Sequence, residues 1–142
     1  MDRIFKVLEK AGDLIIDGVI PQDVKQAQQI WFLREEIANA CISYGYCFKY
    51  DVSLPANHYY KLVEETRKVI NESSLLTDAE KKSIISIGYG HIGDGNVHLN
   101  VTLKGYSDKD LQERVNKLID HFVMDYTRNF KGSVSAEHGI GL

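Results

Sequence analysis

One stretch constrains the fold more than any other. An apolar run, Ser83 to Gly88, leads through a glycine-rich turn into Asn96-Val97-His98-Leu99-Asn100-Val101-Thr102. Alternation of apolar and polar residues is the period of a strand with one buried face. Asp94-Gly95, between the two runs, is a hairpin turn signal. An antiparallel pair is therefore expected, with Val97, Leu99 and Val101 on one face of its second strand and His98 and Asn100 on the other. The turn itself, Gly88-Tyr89-Gly90-His91-Ile92-Gly93, fits the G-x-G-x-x-G pattern of dinucleotide-binding loops. That loop must open a helix whose N-terminus meets the pyrophosphate, and here it opens a strand, so the nucleotide reading fails on context.

Around this hairpin the remaining elements fall into place. Residues 1–11 read as the end of a helix, with Ile4, Phe5, Val7 and Leu8 apolar, and Leu14 to Ile20 as an extended stretch broken at Asp17-Gly18. Pro21 precedes a helix over about 22–42, followed by a β-rich segment at Tyr46–Val52. Ser53-Leu54-Pro55 opens a second helix to about Asn71, which carries Tyr59, Leu62, Val63, Thr66 and Ile70 at helical spacing. Thr77-x-x-Glu80 resembles a capping box. Ser107-x-x-Asp110 is expected to cap the longest helix, whose stripe is Leu111, Val115, Leu118, Ile119, Phe122, Val123 and Tyr126. Gly132 ends it, and Ser133–Glu137 reads as a last strand.

From Tyr46 onward the order is β-α-β-β-α-β. That is the ferredoxin-like α+β arrangement, an antiparallel sheet with two helices on one face. The expected organisation is an added N-terminal helical segment, residues 1–45, and a ferredoxin-like domain, residues 46–142. Such a plait hosts many functions and settles none.

With 142 residues the chain can bury one real core, and its formal net charge of −3 gives no reason to expect nucleic acid or an anionic membrane as partner. No apolar run approaches the roughly 20 residues of a membrane span, and Met1–Lys10 lacks the apolar core of a secretion signal. Cys41 and Cys47 have no CxxC spacing and read as reduced thiols of the cytoplasm or mitochondrial matrix, with a disulfide as the alternative.

The chemistry-bearing residues cluster in three places. His91 and His98, brought together across the glycine turn, can chelate a divalent ion, to which one carboxylate would add a third ligand and leave open positions. The bland alternative is that His98 is a polar residue on a solvated face. Near the C-terminus, Glu137 and His138 stand side by side before Gly139 and Gly141. Adjacent strand residues point to opposite faces, so both reach one cleft only if the backbone bends, and the glycines ease such a bend. Glu137 as metal ligand with His138 as general base is then workable, and a surface Glu-His pair is the alternative.

The third place is the helix over 22–42. Arg34 falls inside the sector of Ala27, Ile30, Trp31, Leu33, Ile37, Ala38 and Cys41, a stripe expected to be buried, where a guanidinium needs an anion, and no carboxylate stands three or four residues away on its own face. It either meets a partner from another element, snorkels, or waits for a substrate carboxylate that its planar fork matches. Lys49, between Phe48 and Tyr50, is a similar cation whose alternative is a strand residue facing water.

These pieces resemble a known family. Gly88-Tyr89-Gly90-His91-Ile92-Gly93-Asp94-Gly95-Asn96-Val97-His98-Leu99-Asn100-Val101 and Gly132-Ser133-Val134-Ser135-Ala136-Glu137-His138-Gly139-Ile140-Gly141 look like the two signatures of the FAD-linked oxidase C-terminal domain. Trp31-Phe32-Leu33-Arg34-Glu35 and Lys49-Tyr50-Asp51-Val52-Ser53-Leu54-Pro55 are similar to flanking motifs of its D-2-hydroxyglutarate dehydrogenase branch, and D-lactate dehydrogenases share the signatures. The resemblance implies that His91, His98 and Glu137 bind a divalent metal, typically zinc. It further implies that Arg34, Lys49 and Asn100 hold a D-2-hydroxy acid and that His138 is the base.

The implied reaction sends the hydroxyl proton to His138 and the α-hydrogen as hydride to FAD, giving a 2-oxo acid. An electron-transfer flavoprotein, a quinone or a cytochrome would then take the electrons. The resemblance also implies an upstream FAD-binding domain and a further C-terminal segment that these residues do not include, so the chain is expected to be a fragment, inactive alone. Ala38 departs from the hydroxyl residue expected one turn after Arg34. A homo-oligomer is compatible with this picture. A non-catalytic interaction module, of the kind some relatives suggest by the name actin-interacting protein, is the reading from a different class.

Overall fold

The computed structural model describes residues 2–15, 18–106 and 108–139. Its organising element is the alternating strand. We number the strands in chain order: β1 is Gly45–Ser53, β2 is Ile84–His91 and β3 is Asn96–Lys104. They form one antiparallel sheet in the order β1-β3-β2, so β3 is central and its pattern governs both faces. Val97, Leu99 and Val101 are fully buried, as the alternation required. Each such side chain contributes about 1.5–3 kcal/mol relative to exposure, which pins the register, because a one-residue slip would send all of them to the opposite face. Residues 92–95 turn tightly between β2 and β3. At Gly95 φ is +75° and a Cβ would lie 2.4 Å from the Leu54 carbonyl oxygen, so glycine is required there.

The buried face is covered by helices. We label the helices α1 (Asp2–Ala11), α2 (Val24–Glu35), α3 (Ile37–Tyr44), α4 (Lys61–Glu72), α5 (Asp78–Lys82) and α6 (Lys109–Asn129). Leu62, Val63 and Ile70 of α4 and Leu111, Val115, Ile119 and Val123 of α6 join Val52, Leu54 and the β3 valines and leucines in one core. Leu118, Phe122 and Tyr126, the rest of the expected α6 stripe, are partly buried against it. The opposite face of the sheet receives α3, packed beside β1 and β3.

The chain is thus α+β and ferredoxin-like, with helices preceding the sheet. Its fourth position differs in detail from the expected strand over Ser133–Glu137. The tail lies along β1 but makes a single antiparallel bridge, Ser53 to Ser133, with N···O distances of 2.9 and 3.0 Å. Farther along, the amides of Glu137 and His138 donate to the Asp51 side chain, so the ladder cannot continue.

Other boundaries moved for local reasons. The helix expected over 22–42 is interrupted at Glu36, so that α2 and α3 are separate helices. The chain divides at the same point into two units, Met1–Glu36 and Ile37–Leu142. No residue of α2 is buried, and Trp31 and Leu33 are 62% and 71% exposed, so the buried stripe expected around Arg34 is absent from α2, while its last member, Cys41, is buried in α3. The second helix starts at Lys61 rather than near Ser53, because residues after Pro55 close turns such as His58 N–H to the Pro55 carbonyl at 2.8 Å. Asp108 caps α6 by accepting the Leu111 amide at 2.9 Å; Ser107, where the cap was expected, lies outside the described residues. Gly12–Leu14 forms a 3-10 turn and residues 18–20 form no strand; Ile16 and Asp17 lie outside the described residues. Among the described residues no helix is long and apolar enough to cross a membrane.

The Thr77–Glu80 capping box is present, and Glu80 also receives Arg114 of α6 at 2.6 Å. Hydrogen bonds from the Arg114 guanidinium and from Thr77 lower the Glu80 carboxyl pKa to about 2. Because the folded pKa is depressed below the ordinary 4.5, this stabilisation is fully present above that value and is lost as pH falls through about 2. In an NMR titration of side-chain carboxyls, Glu80 is expected to titrate near its depressed value. Arg114→Ala should return the midpoint toward the ordinary carboxylate range.

Candidate metal and substrate site

The face of the sheet opposite the main core carries His98 and Asn100, the polar half of the β3 alternation, together with their partners on β1 and β2. Register sets Asp51 of β1 and Tyr89 of β2 on either side of His98, Lys49 and Ile87 on either side of Asn100, and Ser53 and His91 on either side of Asn96. His91 is the last residue of β2, and the tight hairpin holds its ring centroid 5.8 Å from that of His98, nearly perpendicular. The tail then brings Glu137 between them. One Glu137 carboxylate oxygen lies 3.1 Å from His91 Nε2 and the other 3.8 Å from His98 Nε2. One ligand atom from each of His91, His98 and Glu137 lies within 4.8 Å of the others. Two imidazoles and a carboxylate at such spacing are the donor set of a borderline divalent ion with open positions.

The problem of Glu137 and His138 facing one cleft is solved by a bend in the tail. Asp51 Oδ2 accepts hydrogen bonds from the backbone N–H groups of Ala136, Glu137 and His138, at 3.1, 2.8 and 3.2 Å. Gly139, at φ +68°, continues the bend in a conformation that glycine adopts freely. His138 consequently stays beside the site, its ring centroid 6.2 Å from that of His98. The other Asp51 oxygen, Oδ1, lies 3.3 Å from His98 Nδ1. Burial disfavours the charged form of Asp51, but the three amide donors, aided by His138, outweigh it and hold the carboxyl below its usual range. Asp51, His98 and His138 form a second set of mutually close donor atoms.

The residues expected to grip substrate are distributed unevenly. Asn100 is buried on this face, its Nδ2 donating to the His98 carbonyl at 3.2 Å and its Oδ1 3.5 Å from the Cys47 thiol. Lys49, directly opposite Asn100 in the ladder, is exposed on the same face. Arg34 is half-buried and belongs to the first unit, whereas every other candidate residue belongs to the second. Cys41 and Cys47 are free thiols, and burial is the main cause that raises the Cys41 pKa.

Two residues on this face escaped the sequence reading. Asp51 was noticed only as part of the motif around Lys49, although its register opposite His98 follows once β1 and β3 are paired. Asn96 is almost fully buried, and neither end of its side-chain amide has a hydrogen-bond partner among the described residues. Its place in the alternation put it on the site face, but nothing in the sequence marked it as buried.

Nearly the whole chain is similar in sequence to known proteins. The family model described as FAD linked oxidases, C-terminal domain, matches residues 3–142. A mitochondrial protein of Oryza sativa subsp. indica, named as a probable D-2-hydroxyglutarate dehydrogenase, is 42% identical over 129 residues, covering 91% of this chain and 20% of its own length. The mitochondrial D-2-hydroxyglutarate dehydrogenase of Arabidopsis thaliana is 40% identical over 98% of this chain and 22% of its own length. A D-2-hydroxyglutarate–pyruvate transhydrogenase of Saccharomyces cerevisiae is 38% identical over 91% of this chain and 25% of its own length. The chain therefore spans a quarter or less of these relatives. With the match running over nearly all its residues, it belongs to the FAD-linked oxidase C-terminal domain family.

Proposed function

We propose that this chain is the substrate- and metal-binding part of an FAD-dependent dehydrogenase that oxidises D-2-hydroxyglutarate to 2-oxoglutarate. The observation that carries the reading is the gathering of His91, His98 and Glu137 on the same sheet face as Lys49 and Asn100. His91, His98 and Glu137 would hold a divalent ion, zinc, which would supply Lewis acidity toward the substrate hydroxyl and carboxylate. Lys49 offers a charge for a substrate carboxylate and Asn100 an amide hydrogen bond, and the family resemblance would add Arg34 as a further carboxylate anchor. His138, beside the cluster and exposed, takes the hydroxyl proton on its imidazole. FAD, when bound, supplies the acceptor for the α-hydrogen as hydride. The names of the relatives support a mitochondrial setting and this substrate class. The electrons would leave to an electron-transfer flavoprotein, a quinone or a cytochrome.

The names of the relatives favour D-2-hydroxyglutarate over D-lactate as substrate. In turnover assays of the complete gene product, kcat/KM is expected to be higher for D-2-hydroxyglutarate. Lys49→Ala should lower it by about 10- to 100-fold, the range of one charge-assisted hydrogen bond. Faster oxidation of D-lactate by the wild type would overturn the substrate assignment. For the ion, the wild-type chain is expected to retain about one zinc or manganese after dialysis, held by three protein ligands with an open position. His98→Ala should lose it. Equal metal content in both proteins would overturn the metal assignment.

A further inference from the structure

Four of the site's groups converge on one residue that the proposed reaction does not use. Three successive backbone N–H groups, of Ala136, Glu137 and His138, point at Asp51 Oδ2. Consecutive amides aimed at one anion form a nest, and such a chain cannot at the same time continue a flat ladder with β1. Asp51 therefore bends the tail where Glu137 and His138 must both be presented to the cleft. Its second oxygen, buried and with no hydrogen bond among the described residues, is left facing His98 Nδ1 at 3.3 Å, on the edge of the ring away from Glu137, which lies nearer Nε2 at 3.8 Å. A carboxylate at Nδ1 favours the tautomer with the proton on Nδ1 and leaves the Nε2 lone pair aimed at a ligand position.

We infer that Asp51 is the positioning residue of this site, a single carboxylate that sets both the bend presenting Glu137 and His138 and the tautomer of His98. Its two oxygens divide the work: Oδ2 orders the tail and Oδ1 orders the ring. Asp51 thereby links β1, β3 and the tail, three segments far apart in sequence, at the point where their ligands meet. With Oδ2 engaged by the amides, Asp51 acts on an ion through His98 rather than by binding it. The inference rests on the metal reading for its purpose, but its geometry is testable without any ion.

The test uses the 142-residue chain in wild-type form and as Asp51→Asn and Asp51→Ala. In the metal-free wild type at mildly alkaline pH, imidazole ¹⁵N shifts should show His98 protonated on Nδ1. Amide hydrogen exchange should show Glu137 and His138 protected. Asp51→Asn keeps one oxygen for the amides but turns an NH₂ group toward His98. It should preserve most of the amide protection while switching His98 to the Nε2-protonated form. Asp51→Ala should speed exchange at Glu137 and His138 by about tenfold or more, as expected for loss of charge-assisted hydrogen bonds.

Zinc affinity, measured by competition with a chromophoric chelator, should fall about 10- to 100-fold in both variants. The thermal unfolding midpoint and the β3 amide shifts report whether each variant is folded. If Asp51→Ala does not fold, the Asn variant decides through the tautomer. A wild-type His98 protonated on Nε2, or unchanged exchange at Glu137 and His138 in folded Asp51→Ala, would overturn the inference. So would zinc bound to Nδ1 of His98, which would make Asp51 a ligand. Failure of the wild type to bind zinc would instead overturn the metal reading, and the tautomer and exchange results would still decide the role of Asp51.

Discussion

Burial of one face of β3 is the constraint on which everything else in the second unit rests. Val97, Leu99 and Val101 are sealed under α4 and α6, which fixes the register with both neighbouring strands. The residues between them then have no freedom to face anywhere but the other side of the sheet. His98 and Asn100 are held there by apolar packing that has nothing to do with their chemistry. A scaffold of this kind places functional groups more accurately than a loop does. The candidate site therefore lies on that face of the sheet.

The site is completed by two connections of different character. The β2–β3 hairpin is local: its glycines permit a tight turn, and His91 arrives beside His98 because the strands are adjacent in sequence. The tail is not local. Glu137 and His138 follow α6, and they reach the sheet through the Ser53–Ser133 bridge and the Asp51 carboxylate. Gly132 is required at that approach, since a Cβ there would lie 2.2 Å from the Ser53 carbonyl oxygen.

This difference explains what could be read from the sequence. The alternation of β3, the hairpin, the stripe of α6 and the Thr77–Glu80 capping box depend on neighbours in the chain, and all were legible. The histidines and Glu137 could be nominated because their residue types and glycine surroundings are distinctive. The last strand was misjudged because the competing acceptor, Asp51, sits on a strand some eighty residues earlier, and its hold on three amides has no local signature. Arg34 was placed in a buried stripe because periodicity counts apolar residues without revealing what covers them. In α2 those residues are exposed within their unit.

The proposed nitrogen- and oxygen-donor site of His91, His98 and Glu137 lies on a sheet face whose register is fixed by the burial of β3. Zinc K-edge X-ray absorption on the loaded chain tests it most directly. The expected spectrum has only light donors near 2.0–2.2 Å, with outer-shell scattering from two imidazoles that falls to one in His91→Ala. A sulfur shell near 2.3 Å, placing zinc on Cys41 or Cys47, or an imidazole count unchanged by His91→Ala, would contradict it.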